Sequence, residues 1–157
     1  MAIPSDEDIR TKIAAAVQLV APKAIVFPYW VIGFDETKWP GLLRSSEDEG
    51  RVHGYVLGRR RSTGARRTVD CVRRNYNYLL LGLHYYKSGT VANNSEKLVS
   101  AEADAISDKF DKASLLDPAL GQINQNPIEW EFFLRSPAGE LLHILRAAVV
   151  VPPCYTI

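Results

Sequence analysis

Residues 50–61 read Gly50-Arg51-Val52-His53-Gly54-Tyr55-Val56-Leu57-Gly58-Arg59-Arg60-Arg61. Residues 75–87 read Asn75-Tyr76-Asn77-Tyr78-Leu79-Leu80-Leu81-Gly82-Leu83-His84-Tyr85-Tyr86-Lys87. Two runs rich in Val, Leu and Tyr flank a polar segment holding Ser62, Thr63 and Gly64. That pattern predicts two strands joined by a long hairpin loop. In the first run Val52, Gly54, Val56 and Gly58 share one face, and Arg51, His53, Tyr55, Leu57 and Arg59 the other. In the second run both faces are apolar, Tyr78, Leu80 and Gly82 against Leu79, Leu81 and Leu83. A strand apolar on both sides is a central strand, with helices over one face and another surface, such as a partner subunit, over the second.

The linking segment is loaded with one sign of charge. Arg59, Arg60, Arg61, Arg66, Arg67, Arg73 and Arg74 stand against a single acid, Asp70. The segment 59–74 therefore carries +6, while the whole chain carries +1, which leaves −5 elsewhere. A basic arm on an acidic body suits self-assembly or docking to an acidic partner. It speaks less for nucleic acid, because the domain as a whole is not basic. The arm has three readings: it binds phosphates through arginine forks, it pairs with an acidic segment of a neighbour such as Glu47, Asp48 and Glu49, or it is a solvated loop. So many like charges make the last the least attractive.

Outward from this hairpin, the N-terminal side begins with a helix. Ser5 offers a cap, Asp6, Glu7 and Asp8 suit the dipole, and Ile9, Ile13, Ala16, Val17 and Val20 fall on one face before Pro22 ends it. Residues 24–27 form a short β-prone run stopped by Pro28. The segment 29–49 reads as a long loop with one short strand at 30–34. Its Trp30 and Trp39 either form a contact surface or cover one edge of the core.

On the C-terminal side, Asn94 or Ser95 caps a second helix. Val99, Ala103, Ile106, Phe110 and Ala113 give it the strongest helical period in the chain. Ile128, Trp130, Phe132 and Leu134 then alternate with charged residues as a half-buried strand. Ser136 to Gly139 is a turn, and 140–151 is a long apolar strand stopped by Pro152 and Pro153. The sum is a single α+β domain over 1–157. Its antiparallel-rich mixed sheet has about four to five strands and two main helices packed on it, with a long loop at 29–49 and a basic hairpin arm at 59–74.

Composition bounds the function. Hydrophobic residues make 46% and charged residues 24%, ordinary for a globular chain. No apolar run reaches the ~18 residues that cross a bilayer, and the acidic N-terminus lacks a signal-peptide pattern. The expectation is a protein of the cytosol with no membrane contact. His53, His84 and His143 each fall within a predicted strand without ligand spacing, so they read as ordinary sheet histidines and not as a zinc site. No Gly-x-Ser-x-Gly elbow or phosphate-binding Gly-x-x-x-x-Gly-Lys occurs. Tyr76 and Tyr78 lack the surrounding motifs of an RNA-binding sheet. The expectation is no enzyme, no metal and no cofactor.

The run from Gly50 to Arg60, the basic loop, the Tyr-x-Tyr-x-x-x-Gly-x-x-Tyr-Tyr pattern from Tyr76 to Tyr86, the amphipathic helix and the closing pair of strands resemble the tail terminator, or tail completion, proteins of tailed phages. The resemblance spans most of the chain as an order of elements. It implies a small α+β virion protein, assembled in the host cytoplasm, that closes into a hexameric ring. Such a ring caps the tail tube and joins it to the connector and neck proteins of the head, with DNA in its lumen. The family carries no catalytic residues. The alternative is a small nucleic-acid-binding α+β domain that uses the arginine arm.

Cys71 and Cys154 lie 83 positions apart with no CxxC spacing. In a reducing compartment they are expected as two free thiols. Thiol titration of the mildly denatured chain should count two; a count below two would show a bridge or a bound metal.

Overall fold

Helix α1 spans Asp6–Val20, as its sequence signals indicate. The computed structural model describes residues 5–30, 37–68, 71–88, 94–111 and 128–156; the side chains of 60–75, 111, 138 and 152–156 lie outside that set. Ser5 Oγ accepts from the Asp8 N–H, and the Asp8 carboxylate accepts from the Ser5 N–H, each at 3.1 Å. This closes a capping box that satisfies two otherwise orphaned donors. Ile9, Ile13, Ala16 and Val17 are buried. They pack with Ile106 and Phe110 of α3, Ser95–Asp111, over one face of the sheet.

Among the described residues the sheet has six strands: β1 Ile25–Phe27, β2 Arg44–Ser45, β3 Arg51–Thr68, β4 Cys71–Tyr85, β5 Trp130–Arg135 and β6 Leu142–Thr156. Their order is β1-β3-β4-β6-β5, with β2 pairing β3 off that path. Of these six, β1 runs parallel to its neighbour and the other pairings are antiparallel. The class is thus α+β with a mostly antiparallel mixed sheet, one strand larger than the sequence suggests. β4 is the central strand. The helix-facing side holds Tyr55, Leu57, Tyr78, Leu80 and Val149. The other holds Val52, Val56, Leu83 and Leu142, covered by Trp39 and Leu43.

Four expectations need correction. First, the hairpin loop is not long. β3 and β4 pair out to Thr68↔Cys71, so the arm is backbone-paired almost to its tip. β6 follows β4 out to Val72↔Thr156. A third strand gives the arm's middle strand hydrogen bonds on both edges, which stabilises extended backbone where few apolar side chains are available.

Second, Pro152 and Pro153 do not end β6. Arg74 pairs with Cys154 and Tyr76 with Val151, so the two prolines stand opposite Asn75 alone. They occupy a β-bulge, a place where a strand tolerates a missing N–H.

Third, residues 37–49 are built structure and not loop. They hold helix α2, Trp39–Leu42, then β2 and a 3-10 turn over Ser46–Asp48. The strand expected at 30–34 falls mainly on residues outside the described set, as do the end of the second helix and the loop expected at 120–126.

Fourth, β5 is an edge strand whose apolar face is only partly covered. Trp130 donates from Nε1 to Ser107 Oγ of α3 at 2.8 Å, while Phe132 and Leu134 are 51% and 52% exposed.

Close approach explains Gly54. A Cβ there would lie 2.6 Å from Leu43 Cδ2 and 2.8 Å from the Ile25 carbonyl oxygen, so only glycine lets β1 and the 37–45 cover settle on β3. On the same face, a groove of about 260 Å³ remains between Trp30, Trp39, Leu79, Leu81 and Ile144. No described helix is long and apolar enough to cross a membrane. The ladder also separates the cysteines. Cys154 pairs with Arg74, three residues along β4 from Cys71, a spacing of about 10 Å. That exceeds the reach of a disulfide.

Asp6 ties α1 to the sheet. Tyr78 donates to its Oδ1 at 2.7 Å, and Arg10, itself buried, donates from Nε to its Oδ2 at 2.7 Å. Burial alone would raise the Asp6 pKa, but these hydrogen bonds and the charges of Arg10 and Arg59 outweigh it and hold it below the ordinary value. The stabilisation is therefore complete above about pH 3.9 and is lost as pH falls through the lower folded value. Asp6→Asn should cost about 1–3 kcal/mol at neutral pH and flatten the acid limb of the stability curve in urea melts. An unchanged acid limb would rule out this role for Asp6.

Candidate functional site: a row of histidines beneath α3

The register sets His53 of β3 opposite His84 of β4, and His84 opposite His143 of β6. All three side chains share the helix-facing side of the sheet, under the first half of α3. Two β-bulges produce this alignment. Near the tip Thr68 pairs with Cys71, but shifts between Arg66 and Thr68 and between Arg59 and Arg61 each displace the register by one residue. Without them, His53 would face Tyr86.

His53 is buried and held at both ring nitrogens. Nδ1 lies 2.9 Å from Asp48 Oδ2, and Nε2 lies 2.9 Å from Glu102 Oε1. Asp48 reaches it because the 3-10 turn ends in two left-handed residues, Glu49 (φ 57°) and Gly50 (φ 72°), which fold the chain back onto β3. The other Asp48 oxygen accepts from Arg51 Nη2 at 2.5 Å, and the Arg51 guanidinium stacks 4.0 Å over the Tyr85 ring. Tyr55 donates its hydroxyl to Glu102 Oε1 at 2.5 Å.

The electrostatics divide the two neighbouring imidazoles. Burial opposes charge on His53, yet the hydrogen bonds and charges of Glu102 and Asp48 outweigh it and raise its pKa. His84, whose ring centroid lies 4.5 Å from that of His53, is pushed down to about 4, chiefly by burial and also by the neighbouring His53 charge. Burial likewise works to raise the Asp48 pKa, but Arg51 and His53 hold it low. The two neighbouring rings are thus pushed in opposite directions, His53 toward its charged form and His84 toward its neutral one.

His143 belongs to a different group. The Lys87 N–H donates to Ser95 Oγ at 2.9 Å, and the same hydroxyl is hydrogen-bonded to His143 Nε2, also at 2.9 Å. The cap of α3 is Asn94, whose Oδ1 accepts from the Glu96 N–H at 2.8 Å. Ser95 is fully buried, which removes it as a nucleophile for an external substrate.

The residues expected to meet a partner are dispersed. Arg59 sits at the base of the arm, 3.8 Å from Asp6 and over the Tyr76 ring. The side chains of Arg60, Arg61, Arg66, Arg67, Arg73 and Arg74 lie outside the described set, on a backbone that is paired strand. Trp30 and Trp39 meet edge to face, with centroids 4.6 Å apart, and Trp39 is buried as core cover. Of the acidic trio, Asp48 is interior, while Glu47 and Glu49 remain exposed. No family model and no curated protein matches the chain.

Sequence reading grouped Asp48 with the surface acids and saw nothing in Glu102. The partners of His53 are 5 and 49 residues away, and its cross-strand neighbour is 31 away. The bulges that align them carry no residue signature in this hairpin.

Removing one member of a buried charged pair strands the other. Asp48→Ala or His53→Ala should each cost about 3–5 kcal/mol, and the double variant clearly less than their sum. Urea melts of the four proteins make the cycle; additive losses would mean that the two groups do not act as a pair.

Proposed function

We propose that the chain is a non-enzymatic virion assembly protein, a subunit that closes a ring, most simply a hexamer, as a tail terminator or neck component between the tail tube and the head of a tailed phage. The observation that carries this reading is the separation of charge along β3. The arginine arm occupies the far half of the strand, and Glu47 and Glu49 lie just before its start, about 25–55 Å from the arginines at the rise of a strand. They cannot meet within one subunit. Between subunits arranged head to tail they can, and such contacts between unlike surfaces generate rings.

Two further features agree with it. β5 is an edge strand with Phe132 and Leu134 half exposed, an apolar edge that a neighbour would cover. The arm is three strands wide at its base, stiff enough to present arginines at a distance from the helix-covered core.

Native mass spectrometry and light scattering, with and without tail-tube protein, test the reading. A closed ring is expected, weakened by salt because exposed pairs are screened over about 8 Å at physiological ionic strength. Exchanging Arg60, Arg61, Arg66 and Arg67 for Glu should leave the fold intact, at about 0.5 kcal/mol or less each, and abolish assembly. A chain that stays monomeric under every condition would overturn the proposal. Binding of unrelated DNA with a steep salt slope, lost in the same variant, would instead favour a nucleic-acid role for the arm.

A further inference from the structure

We propose that His53, His84 and Glu102 form a binding site for a divalent transition-metal ion, with zinc as the best fit. Two imidazoles and one carboxylate are a donor set that zinc takes in a tetrahedral site, leaving the fourth position to water. The donor atoms of these three residues all lie within 4.8 Å of one another. Bonds of about 2.1 Å in a tetrahedral site place donors about 3.4 Å apart. Glu102 already stands 2.9 Å from His53, and its side chain, on α3, is 15% exposed and has room to adjust.

The stronger argument is what stands behind each donor. Metal-binding histidines have one ring nitrogen held by a carboxylate or a backbone carbonyl, which fixes the tautomer and aims the other nitrogen at the ion. His53 Nδ1 is held by Asp48 at 2.9 Å, which aims Nε2 toward Glu102. His84 Nδ1–H donates to the Tyr85 carbonyl at 2.9 Å, which leaves Nε2 as its lone pair. Glu102 is held by the Tyr55 hydroxyl. Each of the three donors thus has its own support.

A structural ion pair would not need this arrangement. His53 between two carboxylates is complete without His84, yet a second buried imidazole, oriented by its own hydrogen bond to the Tyr85 carbonyl, stands against it. His143 remains outside the site, since its Nε2 is taken by Ser95 and its ring lies 6.5 Å from that of His84. A bound ion would tie β3, β4 and α3 together at the base of the hairpin that carries the arm. The inference is independent of the assembly reading, because it concerns the fold of the single subunit.

The test uses the full chain, stripped with a chelator and titrated with zinc chloride in a calorimeter, with bound metal counted by plasma mass spectrometry. One zinc per chain is expected, with a melting temperature that rises with free zinc. Tyr55→Phe, which removes only the support behind Glu102, should weaken binding about 10- to 100-fold. His84→Gln and Glu102→Gln should weaken it further, and the double variant Cys71→Ser with Cys154→Ser should keep it. Histidine-selective NMR of the wild type covers the case in which a variant fails to fold: zinc should shift the ring signals of both His53 and His84. Absence of zinc binding by the wild type, a zinc complex that leaves both rings unmoved, or binding lost in the cysteine variant would each overturn the proposal.

Discussion

Two bulges in one hairpin fix the register on which the rest of this protein depends. In an antiparallel ladder each inserted residue displaces every later pair by one position. The displacement between Arg66 and Thr68 and that between Arg59 and Arg61 together move His53 from Tyr86 to His84. They also set Gly54 against Leu83, and Tyr55 against Gly82, where a Cβ would lie 2.6 Å from the tyrosine ring. Tyr55 can therefore lie across the sheet and reach Glu102. A hairpin of the same sequence without bulges would lose that packing and disperse the histidines.

Once β4 is central, both faces of the sheet must be covered, and the chain solves the two sides differently. Helices α1 and α3 cover one with regular apolar stripes, which is inexpensive because a helix satisfies its own backbone. The other is covered by the segment around α2, whose Trp39 and Leu43 reach the core while its backbone is satisfied by β2 and a turn. Among the described residues a groove lies beside Leu79 and Leu81, next to Trp30.

Polar groups were buried at two junctions, and each has its partners. Asp6, Arg10 and Tyr78 join α1 to the sheet, and Arg10 also donates to the carbonyls of Pro28 and Leu57. Asp48, His53, Glu102 and Tyr55 join the α2 segment, the sheet and α3. Such networks are costly when one partner is missing, so they specify how the elements meet more than they add to net stability.

The sequence by itself determined what depends on neighbours along the chain. Ser5 and the acids after it begin α1 where a cap must, the period of Val99 to Phe110 gives the buried face of α3, and the double apolar character of 78–83 makes β4 central. These are readable because helical and strand periods are local. Tertiary structure alone decided the remainder. It carried β6 through two prolines because a bulge opposite Asn75 needs no N–H from them, and it made the arm a paired ladder because β6 supplied a third strand. It turned Asp48 inward through the left-handed Glu49 and Gly50, and it gathered His53, His84 and Glu102 from three separate elements. Those outcomes rest on register and on contacts between residues tens of positions apart, which no local pattern encodes.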